Sequence, residues 1–269
     1  MTDQPMIELN DGRTMPQLGF GTYKIDNREA ANAVRTAIEV GYRLVDTASI
    51  YRNEQGVGEG MTEGVWLTTK VWNDDQGRRE APRALEASLE RLGRSHVDLL
   101  LIHWPCPDKR RYLETWQALI ALRDEGLARS IGVSNFMPEQ IEELVRETGV
   151  VPAVNQVECH PRFQQRELRA LHERYCIVTQ SWSPLGQGGG LEEETVQAIA
   201  READQSPAAV LLRWHVQKGL APIPKASSQA HMEENFSCLS FTLDAGQMAR
   251  LDALDSEDGR VGPHPANFC

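Results

Sequence analysis

The chain has 269 residues and a formal net charge of −11, with 28 Lys and Arg against 39 Asp and Glu. That length suits one large α/β domain or two small ones, and it is enough to bury most of the apolar surface. So acidic a chain does not seek DNA, RNA or anionic lipid, and without an N-terminal apolar segment or a run of about 18 apolar residues neither secretion nor membrane insertion is expected.

Met6 to Leu9 and Thr14–Met15, joined by Asn10-Asp11-Gly12-Arg13, read as a short hairpin. Leu18 to Thr22 is a first strand. Arg28 to Val40 places Ala31, Val34, Ala37 and Ile38 at helical spacing and stops at Gly41. Tyr42 to Asp46 is a second strand. The helix that should follow is weak, because Gly56, Gly58, Gly60 and Gly64 each cost about 1 kcal/mol against Ala. At most a short helix is expected there. Val65 to Thr69 is a third strand, Glu80 to Leu92 a helix, and Val97 to Ile102 a continuous apolar strand buried on both faces.

The alternation continues. Helices are expected over Tyr112 to Asp124, Pro138 to Glu147, Gln165 to Arg174, Leu191 to Ala203, Pro207 to Gln217 and Ser228 to Phe236. Strands are expected over Arg129 to Val133, Ala153 to Val157, Ile177 to Gln180 and Leu220 to Ile223. Asp244 to Leu254 is an extra helix, and Asp255 to Cys269 an irregular tail. Strand and helix in strict alternation over about 250 residues predict a (β/α)8 barrel, an α/β fold of the TIM type, with an N-terminal β-hairpin and an extra C-terminal helix. Residues 1–269 then form a single domain. An open doubly wound sheet is disfavoured, because Gly19-Phe20-Gly21 lacks a third glycine and no helix follows at once. The five cysteines are scattered, without a CxxC pair. They read as reduced thiols of a cytoplasmic protein, with neither disulfide frame nor metal site.

In such barrels the active site lies at the C-terminal ends of the strands. The exits here are Asp46, Lys70, His103, Ser134-Asn135, Gln156, Trp182-Ser183 and Lys225, with Tyr51 five residues beyond Asp46. Singly, Asp46 could cap a helix, Lys70 could be solvated, His103 could bond to backbone in the core, and Tyr51 could pack. Together they point to a site. Free Tyr has a pKa of about 10, and a neighbouring ammonium favours the phenolate. Asp46 would hold Lys70, Lys70 would lower the Tyr51 phenol, and His103 would donate to a substrate oxygen. That set protonates an oxygen as it becomes an alkoxide, which carbonyl reduction requires. Side chains give no hydride, so a reduced cofactor is implied.

Gly41 to Ala48, Leu101 to Pro105, Ile131 to Phe136, Asn155 to Pro161 and Ile223-Pro224-Lys225 carry a resemblance to the aldo-keto reductases over essentially the whole chain. The bacterial 2,5-diketo-D-gluconate reductase branch, its B-type members above all, is most similar. The resemblance implies a single barrel binding NADPH and a small carbonyl substrate; a monomer is the default because no exposed apolar stripe stands out, and Ala226 and His231 leave room for NADH as a tolerated second cofactor. It implies Tyr51 as general acid, Lys70 and Asp46 as the pair that tunes it, and His103 as the carbonyl-orienting donor. Ser134, Asn135 and Gln156 would hold the nicotinamide carboxamide, and Trp182 would stack on its ring. Ser183, Leu185 and Gln187 would line the pyrophosphate. Lys225, Ser227, Ser228, His231, Glu234 and Asn235 would surround the adenosine and its 2′-phosphate. Tyr23, Trp72 and Trp104 would wall the substrate pocket, whereas Trp66 and Trp116 pack in the core and His160 is structural.

Two departures from the family pattern stand out. The Tyr51-to-Lys70 segment is short, which calls the packing beneath Tyr51 into question. Ala226 and His231 stand where the family usually has Ser and Arg. Lys109, Arg110 and Arg111 either attract anionic substrates at the pocket mouth or form a solvated turn. The rival functions are a lyase using Lys70 as a Schiff-base nucleophile and a cofactor-binding barrel without turnover.

Overall fold

A computed structural model describes residues 4–269. The chain opens with β1 (Met6–Glu8) and β2 (Thr14–Pro16), an antiparallel hairpin. Then follow β3 (Phe20–Gly21), α1 (Asn27–Val40), β4 (Leu44–Asp46), α2 (Glu54–Gly60), β5 (Trp66–Val71), α3 (Glu80–Leu92), β6 (Val97–Ile102) and α4 (Tyr112–Asp124). The second half contains β7 (Ala128–Ser134), α5 (Pro138–Thr148), β8 (Val154–Glu158), α6 (Arg166–Tyr175) and β9 (Val178–Trp182). It ends with α7 (Glu194–Ala203), α8 (Pro207–Gln217), β10 (Ala221–Pro222), α9 (Gln229–Phe236) and α10 (Ala245–Asp252). Strands β3 to β10 form one parallel sheet of eight in chain order. Gly19 N–H donates to Pro222 O at 2.9 Å and Gly21 N–H to Pro224 O at 3.0 Å, joining last strand to first and closing the barrel. The expected (β/α)8 architecture, with its hairpin and its added C-terminal helix, is the one observed.

The Gly-Phe-Gly run belongs to this closure. A Cβ on Gly19 would fall 2.4 Å from Leu44 Cδ2, and one on Gly21 would fall 2.9 Å from Ile223 O. Only glycine lets these backbones meet.

Strand residues alternate between two cores. Leu44, Leu99, Leu101, Val154, Val178, Ala221 and Ile223 fill the barrel interior, which Leu9 and Met15 of the hairpin plug from below. Val45, Leu67, Leu100, Ile102, Ile131, Val133 and Val157 face outward onto the helices. The apolar run of β6 is therefore two interleaved faces, each buried against a different layer. The next inward positions above the plug are polar.

Helix α2 has seven residues, as short as its glycines predict. Their role is larger than weak propensity, however. A Cβ on Gly56 would lie 2.1 Å from Asn27 O, one on Gly58 2.2 Å from Leu92 O, and one on Gly60 2.6 Å from Ala31 O. The glycines let α2 nest against α1 and the end of α3. The shortened segment leaves the packing beneath Tyr51 intact. Asn53, fully buried, accepts from Thr47 Oγ1 at 2.8 Å and donates to Thr22 O at 2.9 Å and Ile25 O at 3.0 Å.

Two expectations need correction. Residues Gly186–Glu192 form irregular 3-10 turns, so the helix expected from Leu191 begins at Glu194. The cysteines are not all free. Cys106, after β6, is disulfide-bonded to Cys269 across a sequence separation of 163. A count of spacings along the chain does not register such a pair, because the tail only reaches the β6 loop once the barrel has closed.

Candidate active site

Asp46 ends β4 and Lys70 lies in β5, both pointing into the barrel above the apolar plug. Lys70 Nζ donates to Asp46 Oδ1 at 2.6 Å and to Thr47 O at 2.9 Å. Both side chains are almost fully buried. Burial lowers the Lys70 ammonium from its usual value, against the opposing pull of Asp46. Tyr51 arrives on a single 3-10 turn, Ser49–Tyr51, which Arg52 ends in the left-handed region at φ 57°. Lys70 Nζ lies 5.1 Å from the Tyr51 ring centroid. His103 follows β6, its ring edge-on to Tyr51 at 5.7 Å and to Trp72 at 5.0 Å.

The electrostatics correct one expectation. Burial, reinforced by the Asp46 carboxylate and Tyr23, pushes the Tyr51 phenol well above its usual value. Desolvation outweighs the pull of the Lys70 ammonium, whose hydrogen bonds go to Asp46 and the Thr47 carbonyl. Burial, with Lys70 adding to it, holds the His103 ring well below its usual value and therefore neutral. His103 Nδ1 is buried with no hydrogen-bond partner. The site rests with a protonated phenol beside a neutral imidazole.

These groups floor a cavity of about 720 Å³. Its lining includes, of the residues singled out from the sequence, Tyr23, Asp46, Tyr51, Trp72, His103, Trp104, Ser134, Asn135, Gln156, Trp182, Ser183, Leu185, Gln187 and Lys225. Lys70 lies beneath the floor. Ser227, Ser228, His231, Glu234 and Asn235 lie outside the lining, on and before α9. Ser228 caps that helix by accepting from the His231 N–H at 3.3 Å, and Lys225 Nζ donates to Ser227 Oγ at 3.2 Å. The basic cluster does not line the cavity either. Lys109 pairs with Asp74, and Arg111 with Glu80 and Glu114.

The residues expected to hold the carboxamide are already engaged within the site. Gln156 Nε2 donates to Asp46 Oδ2 and to Gln180 Oε1, both at 2.7 Å. Asn135 Nδ2 donates to His103 O and Ser134 Oγ, each at 3.1 Å, and Asn135 Oδ1 accepts from Trp182 Nε1 at 2.8 Å. Trp182 is thus tethered by its Nε1 edge and lines the cavity.

Residues 17–256 match the aldo/keto reductase family. The chain belongs to that family. A methylglyoxal reductase DkgA of Yersinia pestis is 44% identical over 276 residues, covering 100% of this chain and 99% of that one. A 9,11-endoperoxide prostaglandin H2 reductase of Trypanosoma cruzi is 46% identical, covering 97% of this chain and 95% of the other. Among solved structures, an Asp-to-Ala variant of Gox0644 in complex with NADPH superposes with a TM-score of 0.97 at 46% identity, covering 99% of each chain. This aldo/keto reductase is accordingly an NADPH-dependent oxidoreductase acting on carbonyls.

The reductase's own residues suit that cofactor. From the floor the cavity runs past Trp182, Ser183, Leu185 and Gln187 to Pro224 and Lys225. An aromatic face, hydroxyl and amide groups and one ammonium in sequence fit a flat ring followed by phosphates. Sequence reasoning missed Gln180, which shares Gln156. It also missed Gly262, Pro263 and Phe268, tail residues that line the cavity. Alternation along β9 could have found Gln180, since it is the inward residue before Trp182. Nothing in the tail's own pattern marks Phe268.

Proposed function

We propose that this reductase converts small aldehydes and ketones to alcohols, with Tyr51 as the proton donor and His103 as the group that orients the carbonyl oxygen. The observation that carries the reading is the floor of the cavity, where a protonated phenol and a neutral imidazole face the same aromatic-walled space. When bound, NADPH supplies the hydride to the carbonyl carbon. Tyr51 holds its proton because burial denies it the phenolate, so it meets the substrate as an acid. Burial also keeps His103 neutral, so it can donate to the oxygen without carrying charge into the site. Lys70 and Asp46 form a rigid buried pair under Tyr51, and the ammonium steadies negative charge that develops on the phenol oxygen as the proton leaves. Tyr23, Trp72 and Trp104 shed water from the reacting carbonyl.

Ser134, Asn135 and Gln156 would hold the carboxamide after exchanging part of their mutual hydrogen bonds for it, and Trp182 would face the nicotinamide ring. Lys225, with Ser227, Ser228 and His231 beside it, would meet the 2′-phosphate, leaving NADH as a weaker second cofactor. The compact aromatic wall favours small dicarbonyls, with keto-sugars and keto-sugar acids as further candidates. Lys70 is sequestered from the cavity, which argues against a Schiff-base lyase.

Residues 1–269 would act as one barrel domain and as a monomer in the cytoplasm. Among the described residues the large apolar side chains that are exposed are Met6, Tyr23 and Val261, and no helix is long and apolar enough to cross a membrane. The test is NADPH consumption with methylglyoxal. Tyr51→Phe should lose about 10²–10⁴-fold in kcat while binding NADPH as the wild type does. A variant retaining more than about a tenth of the rate would assign the acid to another group.

A further inference from the structure

The tail segment 261–269 crosses the pocket as a strap tied at both ends. At its start the Glu158 carboxylate, buried at the end of β8, accepts from Val261 N–H at 2.6 Å and Gly262 N–H at 2.9 Å. The His160 ring shares that carboxylate at 3.1 Å. A Cβ on Gly262 would lie 2.3 Å from Cη2 of Trp182, so the strap runs directly against the indole. At its far end Cys269 is disulfide-bonded to Cys106, with Cα atoms 4.7 Å apart, inside the range a disulfide spans. Between the ties Gly262, Pro263 and Phe268 line the pocket, and the Phe268 ring lies 4.4 Å from that of Trp104.

The two ties are unequal. The Glu158 tie has a buried carboxylate and is made of several hydrogen bonds. Towards the other end His264, Ala266, Asn267 and Cys269 are exposed, Phe268 is half-buried, and only Pro265 is buried. A chain end with so little buried surface frays unless something fastens it. Here the covalent fastening is the Cys106–Cys269 bond, one residue beyond Phe268.

We infer that Cys106 and Cys269 form a thiol–disulfide site that sets the size of carbonyl the pocket accepts. With the bond closed, Phe268 and Trp104 together narrow the substrate side for small dicarbonyls. With it open, Phe268 swings off Trp104 and bulkier carbonyls enter. The inference rests on the reductase reading above. The oxidant is a low-molecular-weight disulfide, RSSR. The exposed Cys269 thiolate attacks one of its sulfurs and releases RS⁻. The Cys106 thiolate then attacks Cys269 Sγ in the mixed disulfide and releases the second RS⁻. The protein thiols give up two electrons and two protons, and RSSR leaves as two RSH; a small thiol in excess runs the exchange backward.

The experiment compares oxidised protein with protein reduced by a phosphine and then desalted. The kcat/KM ratio for phenylglyoxal over methylglyoxal is measured for each, since these substrates share their reacting groups and differ in bulk. Alkylation after unfolding reports the bond independently of turnover. It marks Cys159, Cys176 and Cys238 in the closed form and adds Cys106 and Cys269 in the open one. Opening should raise the ratio by about tenfold. Cys269→Ser and Cys106→Ser should both show the raised ratio and ignore the phosphine. The inference is overturned if the label count rises while the ratio stays put, or if oxidised protein labels at all five cysteines. Failure to reduce either substrate in both redox forms would instead bring down the functional reading, with the label count still reporting the bond.

Discussion

Lys70→Met tests whether the buried pair is a support or a passenger. The side chain of Lys70 is 0% exposed and that of Asp46 3%, and their charged atoms are 2.6 Å apart. Methionine matches the lysine stem but removes the charge, leaving Asp46 buried with only the Gln156 amide as donor. Stranding one member of such a pair costs about 3–5 kcal/mol. With unfolding entropy near 2.1 cal/mol/K per residue, a chain of this length should lose about 5–9 °C in Tm. Replacing both partners, as in Lys70→Met with Asp46→Leu, removes the stranded charge, and most of the lost Tm should return. Activity should not return with it, because the ammonium beneath Tyr51 is gone. Calorimetry and NADPH oxidation with methylglyoxal on wild type, both single variants and the double variant separate the two roles. A double variant as unstable as Lys70→Met would show that the loss is packing. A double variant with wild-type kcat would refute any part for the pair in the chemistry.

Four further outcomes follow from the geometry. With the Tyr51 phenol raised and the His103 ring lowered by burial, kcat/KM for reduction should show no titration between pH 6 and pH 9 (a range of about three units around neutrality); a break near pH 8 that vanishes in Tyr51→Phe would contradict the protonated resting phenol. Burial lowers His172 and His215 to about 3, below the unfolded value of about 6.5, so the stability they contribute is present above that value and lost as pH falls toward 3. Between pH 7.5 and 5.5 each should cost about 1.4 kcal/mol, read as a fall in the urea midpoint; an unchanged midpoint would refute their burial as neutral rings. Gly58→Ala should destabilise by about 1–3 kcal/mol despite alanine's better helix propensity, because its methyl would meet the Leu92 carbonyl. His231→Arg should tighten NADPH by about tenfold or more with little change for NADH, measured by fluorescence titration, if this helix position meets the 2′-phosphate.

Much of the fold was legible in the sequence because period and punctuation are local properties. The helical spacing of α1, the stop at Gly41 and the alternation of strand and helix each report on a few neighbouring residues, and together they allow little but a closed parallel barrel. The site residues were legible for the same reason, since a polar group at the end of an apolar strand is visible in one dimension. Tertiary structure alone decided how those groups act. Lys70 was read as lowering Tyr51 because the sequence brings cation and phenol to neighbouring strands. In three dimensions the ammonium is captured by Asp46, and desolvation governs the phenol. The glycines of α2 read as weak helix formers, and only the contacts with Asn27, Ala31 and Leu92 reveal them as the surface on which three helices meet. Gln156 and Asn135 were read as waiting for a ligand, yet they hold Asp46, Gln180 and Trp182. The tail is the extreme case. Its residues have no periodicity of their own, and Phe268 becomes a pocket wall and Cys269 a tether only because closing the barrel brings β6 and the chain end together. Spacing along a chain encodes what a segment tends to be; burial, and the partners that burial imposes, determine what its side chains do.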